Sequence, residues 1–291
     1  MRFIKYMNIT NDCVHCIVGQ IDKAIDHLQL DEKEALEIQK EVEKRSKSFS
    51  FEHTPPYVAR DVYEYLAQKT NCADPLESIK QASIENALTF VPFIEKKIRQ
   101  EDDKLFTAIK ASVAGNVIDF GAKEQFSLEQ EINKVFHTNF AINDYAKLAK
   151  QIETKNNILI LADNAGENVF DKILIKIITR MYPEKKITYA TRGKPIINDI
   201  TTKEAFQIGI DKFANVVSTG VDTPGLELQR ATTTFRHMFE KADVIISKGM
   251  GNFECLESQK DKRVFFLFKV KCNVVANAIS KNVGDIILKQ G

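Results

Sequence analysis

Three side chains with hard oxygen donors, Asp163, Asn164 and Asp199, stand just after two short apolar segments of the chain. Carboxylate and amide oxygens are the ligands that magnesium and manganese prefer, and three of them leave coordination positions open for water and a substrate phosphate. A divalent cation in such an open site can polarise a phosphoryl oxygen and activate an attacking water. The residue types therefore predict a metal site that hydrolyses phosphate esters.

Each of these residues also has an ordinary structural interpretation. Asp163 and Asn164 could cap the helix that follows their strand, because aspartate and asparagine commonly accept bonds from the first amides of a helix. Asp199 likewise precedes a helical stretch and could be a capping or turn residue. An isolated lysine such as Lys248 is usually solvated. In the functional interpretation, Lys248 is placed to meet the charge of a phosphate. The grouping of all four residues at successive strand exits favours the functional interpretation.

The elements that would position these residues lie in the second half of the chain, residues 151–291. Short apolar runs rich in valine, isoleucine and leucine alternate there with segments of helical length, at 157–162, 187–190, 215–218, 243–247 and 263–269. Buried parallel strands have this texture, and strand-helix alternation implies a three-layer α/β/α, Rossmann-like sheet. Ligands bind beyond the carboxyl ends of the strands in such sheets, which is where the polar residues fall.

The first half, residues 1–150, is predicted to be all helical. Apolar residues recur at three- and four-residue steps, as in Ile17, Ile21, Ala24 and Leu28. Because no glycine- or serine-rich linker separates the halves, we expect this helical domain to pack on the sheet domain and to contribute to the substrate pocket.

The composition limits the classes of partner. The 41 basic and 40 acidic residues nearly cancel, so the net charge gives no reason to expect nucleic acid or a membrane surface as the partner. No apolar run approaches the roughly 20 residues needed to cross a bilayer, and the first residues lack the apolar core of a signal peptide. We therefore expect a cytoplasmic protein, and the sequence leaves the oligomeric state open.

Several strings of residues together resemble the damage-control phosphatase family. They span nearly the whole chain and are Asp163-Asn164-Ala165-Gly166-Glu167 with Asp171, Arg192-Gly193-Lys194-Pro195 with Asn198-Asp199, Lys248-Gly249-Met250-Gly251-Asn252-Phe253-Glu254, and Gly115-Asn116-Val117-Ile118-Asp119. The resemblance implies a metal-dependent phosphatase that removes phosphate from small, damaged or surplus phosphometabolites, with manganese, cobalt, nickel or magnesium as cofactor. It also implies an α/β/α sandwich with a helical domain.

The resemblance assigns roles to individual residues. It places the metal ligands at Asp163, Asn164 and Asp199, and it makes Lys248 the residue that meets the phosphate. The same matching gives residues near the substrate: Asn116, Asp119, Glu167, Arg192, Asn198 and Asn252. Whether Asp163 only binds the metal or also acts as the nucleophile is left open.

Cysteines suggest a further site. Cys13-x-x-Cys16 and Cys272 resemble the stand-alone prokaryotic branch of the family that carries a CxxC pair. Three thiolates would suit a second metal ion such as zinc, or a redox element, while three buried thiols that merely pack are the ordinary alternative.

Two other functions compete with phosphate-ester hydrolysis. An acidic, glycine-containing loop after a strand of a Rossmann-like sheet could instead hold S-adenosylmethionine for methyl transfer, although only fold analogy supports this. A non-enzymatic protein that senses a metal or metabolite is the third possibility, with the cysteines as its working part.

Overall fold

The computed structural model describes residues 7–115 and 125–291. These residues form a mixed α/β fold. The strands are β1 Ile142–Asn143, β2 Asn157–Leu161, β3 Lys186–Thr191, β4 Asn215–Ser218, β5 Val244–Lys248, β6 Val264–Lys269 and β7 Ile286–Gln290. The helices of the first half are α1 Asn11–Leu28, α2 Glu32–Ser46, α3 Pro55–Lys69, α4 Glu77–Thr89, α5 Val91–Gln100, α6 Lys104–Ala114 and α7 Gln125–His137. The later helices are α8 Tyr145–Thr154, α9 Glu167–Met181, α10 Thr202–Gln207, α11 Thr233–Lys241, α12 Met250–Leu256 and α13 Asn273–Ile279.

The strands form one seven-stranded sheet in the order β1-β7-β6-β5-β2-β3-β4. Neighbouring strands are parallel except for the antiparallel pair of β6 and β7. Side chains alternate between its faces, as Ile158 and Ile160 join one core while Leu159 and Leu161 join the other. Helices cover both faces, so the predicted three-layer α/β fold is confirmed.

The strand prediction holds at all five predicted positions, but β1 and β7 were not predicted. Helix α11 begins at Thr233. The side chain of Thr232 caps it by accepting a bond from the amide of Phe235, and residues 228–230 form a separate 3₁₀ turn. An N-cap residue has non-helical dihedrals, so the α-helix could not extend back through Thr232.

Residues 1–150 do not form one separate helical unit. Helices α1 to α3 have a core of their own, and we call these three helices the cap. Helices α4 to α6 instead share a core with α9 and with one face of the sheet, while β1 pairs with β7. The predicted boundary at 150 therefore cuts through the sheet domain. No helix in the described residues is long and apolar enough to cross a membrane.

Candidate active site

The predicted metal ligands lie at the carboxyl ends of the central strands β2 and β3. Asp163 and Asn164 follow β2, and Asp199 lies in the loop that follows β3. Two backbone hydrogen bonds join these loops: the amide of Ile200 donates to the carbonyl of Asp163 at 3.0 Å, and the amide of Ala165 donates to the carbonyl of Asn198 at 2.9 Å. Together they form an isolated β-bridge that sets Asn164 opposite Asp199. The structure thus brings the three oxygen-bearing residues together, as the metal-site hypothesis requires.

Arg192 connects the two carboxylates. Its Nε donates to Asp199 Oδ2 at 2.6 Å, and its Nη2 lies 3.4 Å from Asp163 Oδ1. The third nitrogen, Nη1, donates to Asn252 Oδ1 at 3.0 Å. The guanidinium is only 2% exposed, so its fixed fork of donors orients both carboxylates from the protein side. The predicted substrate contact of Arg192 stays a prediction, since its observed partners are protein groups.

Asn252, in the first turn of α12, connects three loops through its side-chain amide. Its Nδ2 donates to the carbonyls of Lys248 and Ala162 at 2.7 and 3.1 Å, while its Oδ1 also accepts the amide of Leu226 at 2.9 Å. These bonds engage both ends of the side-chain amide and hold the loops after β2, β4 and β5 together. Its substrate contact, like that of Asn198, is untested.

Lys248 has a different environment from the one that the sequence suggested. Its ammonium is completely buried and donates to Glu167 Oε1 at 2.5 Å, Asp171 Oδ1 at 2.8 Å and the carbonyl of Ser112 at 3.1 Å. An ammonium has three donors, and all three are engaged. A direct bond from Lys248 to phosphate would therefore require the loss of one of these bonds.

Asp171, one of the two carboxylates that contact Lys248, also accepts hydrogen bonds from two hydroxyl groups. The donors are the Ser112 hydroxyl at 2.5 Å and the Tyr189 hydroxyl at 2.9 Å.

The backbones of α6 and α9 approach so closely that a Cβ added to Gly115 would lie 2.6 Å from the Cα of Glu167. Asn116 and Asp119, which the resemblance places near the substrate, lie outside the described residues.

Negative charge exceeds positive charge inside the site. Four buried carboxylates, those of Asp163, Glu167, Asp171 and Asp199, contact two buried cations, Arg192 and Lys248. Burial raises the pKa of Asp163 well above its usual value, and the charges of Asp199 and Glu167 raise it further. A bound cation would relieve this excess, because it favours the ionised carboxylate.

The donor set fits a divalent cation in type and charge. Two carboxylates and one amide are hard oxygen ligands, and they leave open coordination positions. Gly249 makes room for one ligand, since a Cβ added there would lie 2.0 Å from Asp163 Oδ2. Among side chains of histidine, cysteine, aspartate and glutamate in the described residues, no group of three is placed to hold a metal ion. A cation beside Asp163 would have two carboxylates there and would need the amide of Asn164 as a third ligand.

Two residues near this site were not predicted as site residues. Lys271 is exposed, and its charge lowers the pKa of both Asp163 and Glu167, which places a cation at the edge of the site. Tyr63 of the cap is buried, and burial together with the charge of Asp199 raises the pKa of its hydroxyl. The sequence signal that could have identified Lys271 is its position two residues after β6, since the other predicted site residues also follow strands.

The three cysteines of the predicted second site are free thiols. Cys13 is buried, Cys16 is exposed and Cys272 is half-buried, where it caps α13. Because no three metal-binding side chains in the described part of the chain are suitably placed, the structure does not support the second metal ion. Partial desolvation by the surrounding protein raises the pKa of both Cys16 and Cys272, which disfavours reactive thiolates. The redox alternative stays a prediction.

Similarity to known proteins decides the family. The profile of the damage-control phosphatase ARMT1-like domain matches residues 9–287. The chain belongs to the damage-control phosphatase family. A damage-control phosphatase from Pyrococcus horikoshii is 30% identical over 285 residues, which cover 97% of each chain. Another from Archaeoglobus fulgidus is 33% identical over 242 residues, which cover 81% of each chain.

The fold of this damage-control phosphatase family member also matches a solved structure. A crystal structure of a DUF89 family protein from Pyrococcus horikoshii superposes with a TM-score of 0.90 at 30% identity, covering 97% of this chain and 99% of the other. The predictions of the family and of a phosphatase are confirmed. Methyl transfer finds no support in these similarities, and the narrower CxxC branch stays a prediction.

Proposed function

We propose that the protein is a metal-dependent phosphomonoester hydrolase of small phosphorylated metabolites, with Asp163, Asn164 and Asp199 as the metal ligands. The observation that carries this proposal is the backbone pairing of the two loops, which sets Asn164 against Asp199 and bonds Ile200 to Asp163. Buried carboxylates are seldom placed together unless they are paired or bind a metal. Here the two carboxylates share one guanidinium, which leaves charge for a metal to neutralise.

The cofactor would be manganese, cobalt, nickel or magnesium. Bound beside Asp163, such a cation would supply Lewis-acid polarisation of a phosphoryl oxygen. Oxygen-only ligands favour magnesium and manganese, while cobalt and nickel are included on the family resemblance.

The chain's own residues would orient the ligands and the phosphate. Arg192 holds the carboxylates of Asp163 and Asp199 in place from the buried side, at 3.4 and 2.6 Å. We assign the first contact with the phosphate to Lys271, because it is exposed at the edge of the site and acts electrostatically on Asp163. Lys248 would not contact the phosphate and would instead orient Glu167 and Asp171 through its buried ion pairs with them.

Phosphate release from an aryl phosphate tests the proposal. Wild-type protein stripped with a chelator should be inactive and should recover when manganese, cobalt, nickel or magnesium is returned. Asp163→Ala should stay inactive under all four metals. Asp211→Ala is the matched control, because Asp211 is exposed at the opposite end of the sheet, near the first residues of β2 and β3. Full activity of Asp163→Ala with metal bound would refute the ligand assignment.

The substrate class can be narrowed with a panel of sugar phosphates, nucleotides and cofactor phosphates assayed with manganese. The substrate is expected to be a small phosphorylated metabolite. If the metal-loaded protein bound members of this panel without releasing phosphate from any of them, the non-enzymatic sensor would be favoured instead.

A further inference from the structure

Ile197 has a backbone conformation that isoleucine rarely adopts. Its φ is +47°, in the left-handed region, where a β-branched side chain is a steric outlier. Within residues 7–115 and 125–291, the other non-glycine residues with positive φ all lie at the carboxyl ends of helical segments: Gln29, Asn71, Lys260 and Ser280. A left-handed residue is a common way to end a helix. Ile197 instead lies in the loop between β3 and α10, so this explanation does not apply to it.

The conformation belongs to a tight turn that leads into the metal-site loop. The amide of Asp199 donates to the carbonyl of Ile196 at 3.0 Å, which makes Ile197 the second residue of a four-residue turn. Turns with positive φ at that position normally carry glycine, asparagine or aspartate there. The strain of an isoleucine persists only where surrounding structure holds it, and such strain is concentrated at functional sites.

The cap supplies the surrounding structure. Ile196 is part of the core of α1 to α3, and Ile197 packs against that core. Both line a small cavity together with Tyr63 and Asp74 of the first half of the chain. The beginning of the turn is therefore anchored in the cap by apolar contacts.

The end of the turn is anchored in the sheet domain. Asn198 accepts the amide of Ala165 at 2.9 Å, and the amide of Ile200 donates to Asp163 at 3.0 Å. Asp199 lies between these two bonds, opposite Asn164. A shift of the turn would thus move Asp199 relative to Asp163 and Asn164.

We propose that Ile197 is a positioning residue, whose side chain, held by the cap, keeps this turn strained so that Asp199 stays beside Asp163 and Asn164. The consequence for metal binding rests on the proposed function, whereas the positioning of the loop does not. The alternative is that Ile197 only fills space in the core of the cap.

Three variants at this position and one control separate the two interpretations. Ile197→Ala removes the anchor but keeps an unfavourable residue at positive φ, while Ile197→Val keeps a β-branched anchor. Ile197→Gly removes the anchor and accepts the turn without strain, so it provides a folded protein should the alanine variant unfold. Lys260→Ala is the matched control, since Lys260 has a φ of +52° and an exposed side chain.

Amide hydrogen exchange measured by NMR on metal-free protein is the first readout. We expect faster exchange at Ala165 and Ile200 in the alanine and glycine variants, and no change there in Ile197→Val or Lys260→Ala. The second readout is manganese affinity by calorimetry, which should fall about 10-fold or more in the same two variants, as for other residues that orient metal ligands.

Thermal denaturation verifies that each variant is folded. Unchanged exchange at Ala165 and Ile200 in folded alanine and glycine variants would overturn the proposal and leave Ile197 as a packing residue. If exchange rises but even the wild type binds no manganese, the positioning role stands and the proposed metal function fails.

Discussion

Lys248→Met separates a structural role of Lys248 from a role in binding phosphate. Methionine has a similar length but no charge, so Glu167 and Asp171 would stay buried without the cation that contacts them at 2.5 and 2.8 Å. Removing one partner of a buried ion pair costs about 3–5 kcal/mol of stability, because the other charge is left uncompensated. For a chain of this size, that corresponds to a fall in Tm of roughly 5–8 °C.

The loss of stability should depend on pH. Burial raises the pKa of Glu167, and the charge of Lys248 opposes that rise, so the variant should raise the pKa further. A carboxyl whose folded pKa lies above its unfolded pKa destabilises the fold as pH rises from the unfolded value towards the folded one. The difference in unfolding free energy between wild type and variant should therefore be smallest below the ordinary glutamate pKa of 4.5 and should grow towards neutral pH.

Urea denaturation of metal-free protein at several pH values measures this effect. Lys203→Met is the matched control, because it removes a lysine from an ion pair with Glu77 whose side chains are 63% and 57% exposed. Such exposed pairs contribute little, so the control should unfold like the wild type. If Lys248→Met were as stable as the control and only raised KM for phosphate esters, Lys248 would be a phosphate ligand and the structural role would be refuted.

Three further changes test the surroundings of the site. Gly249→Ala should weaken manganese binding in calorimetry, since the added Cβ would lie 2.0 Å from Asp163 Oδ2 and the φ is +77°; an unchanged affinity would contradict the packing of that carboxylate. Lys271→Ala should raise KM for an aryl phosphate with a smaller change in kcat, and an unaltered KM would remove Lys271 from the phosphate contact. Burial raises the pKa of Glu254 to about 8, so the contribution of Glu254 to the stability of the wild type should fall as pH rises from about 4.5 to 8. The Glu254→Gln variant lacks this titration, so its stability relative to the wild type should rise over that range, and a constant difference between the two would show that the pKa of Glu254 is not raised.

The sheet was predictable from the sequence because its central strands are buried on both sides. Continuous apolar runs such as 157–162 and 243–247 identify β2 and β5 without knowledge of their neighbours. Strand β1 was missed since it has two residues, and only its pairing with β7 makes it a strand. Such short segments carry no periodic signal of their own.

The candidate site was predictable in part. Polar residues at adjacent strand exits lie together because parallel strands bring their carboxyl ends to one edge, and this holds for Asp163 and Asp199. The burial of Lys248 was not predictable in the same way. Its acceptors Glu167 and Ser112 lie 81 and 136 residues away in the sequence, and only the packing of α6 on α9 brings them to it. A lysine after a strand can equally meet solvent, phosphate or buried carboxylates.

The two buried cations, Lys248 and Arg192, do not contact the four buried carboxylates equally closely. The carboxylate with the most distant cation indicates where a metal would bind. Lys248 has two carboxylates and one carbonyl as partners, with its contacts at 2.5 to 3.1 Å. Arg192 bonds Asp199 closely at 2.6 Å but lies 3.4 Å from Asp163, so Asp163 is the carboxylate with the weakest compensation. A buried carboxyl with weak compensation is costly to ionise, which agrees with the raised pKa of Asp163. A metal ion beside Asp163 would supply the missing positive charge and would therefore favour the ionised carboxylate as its ligand.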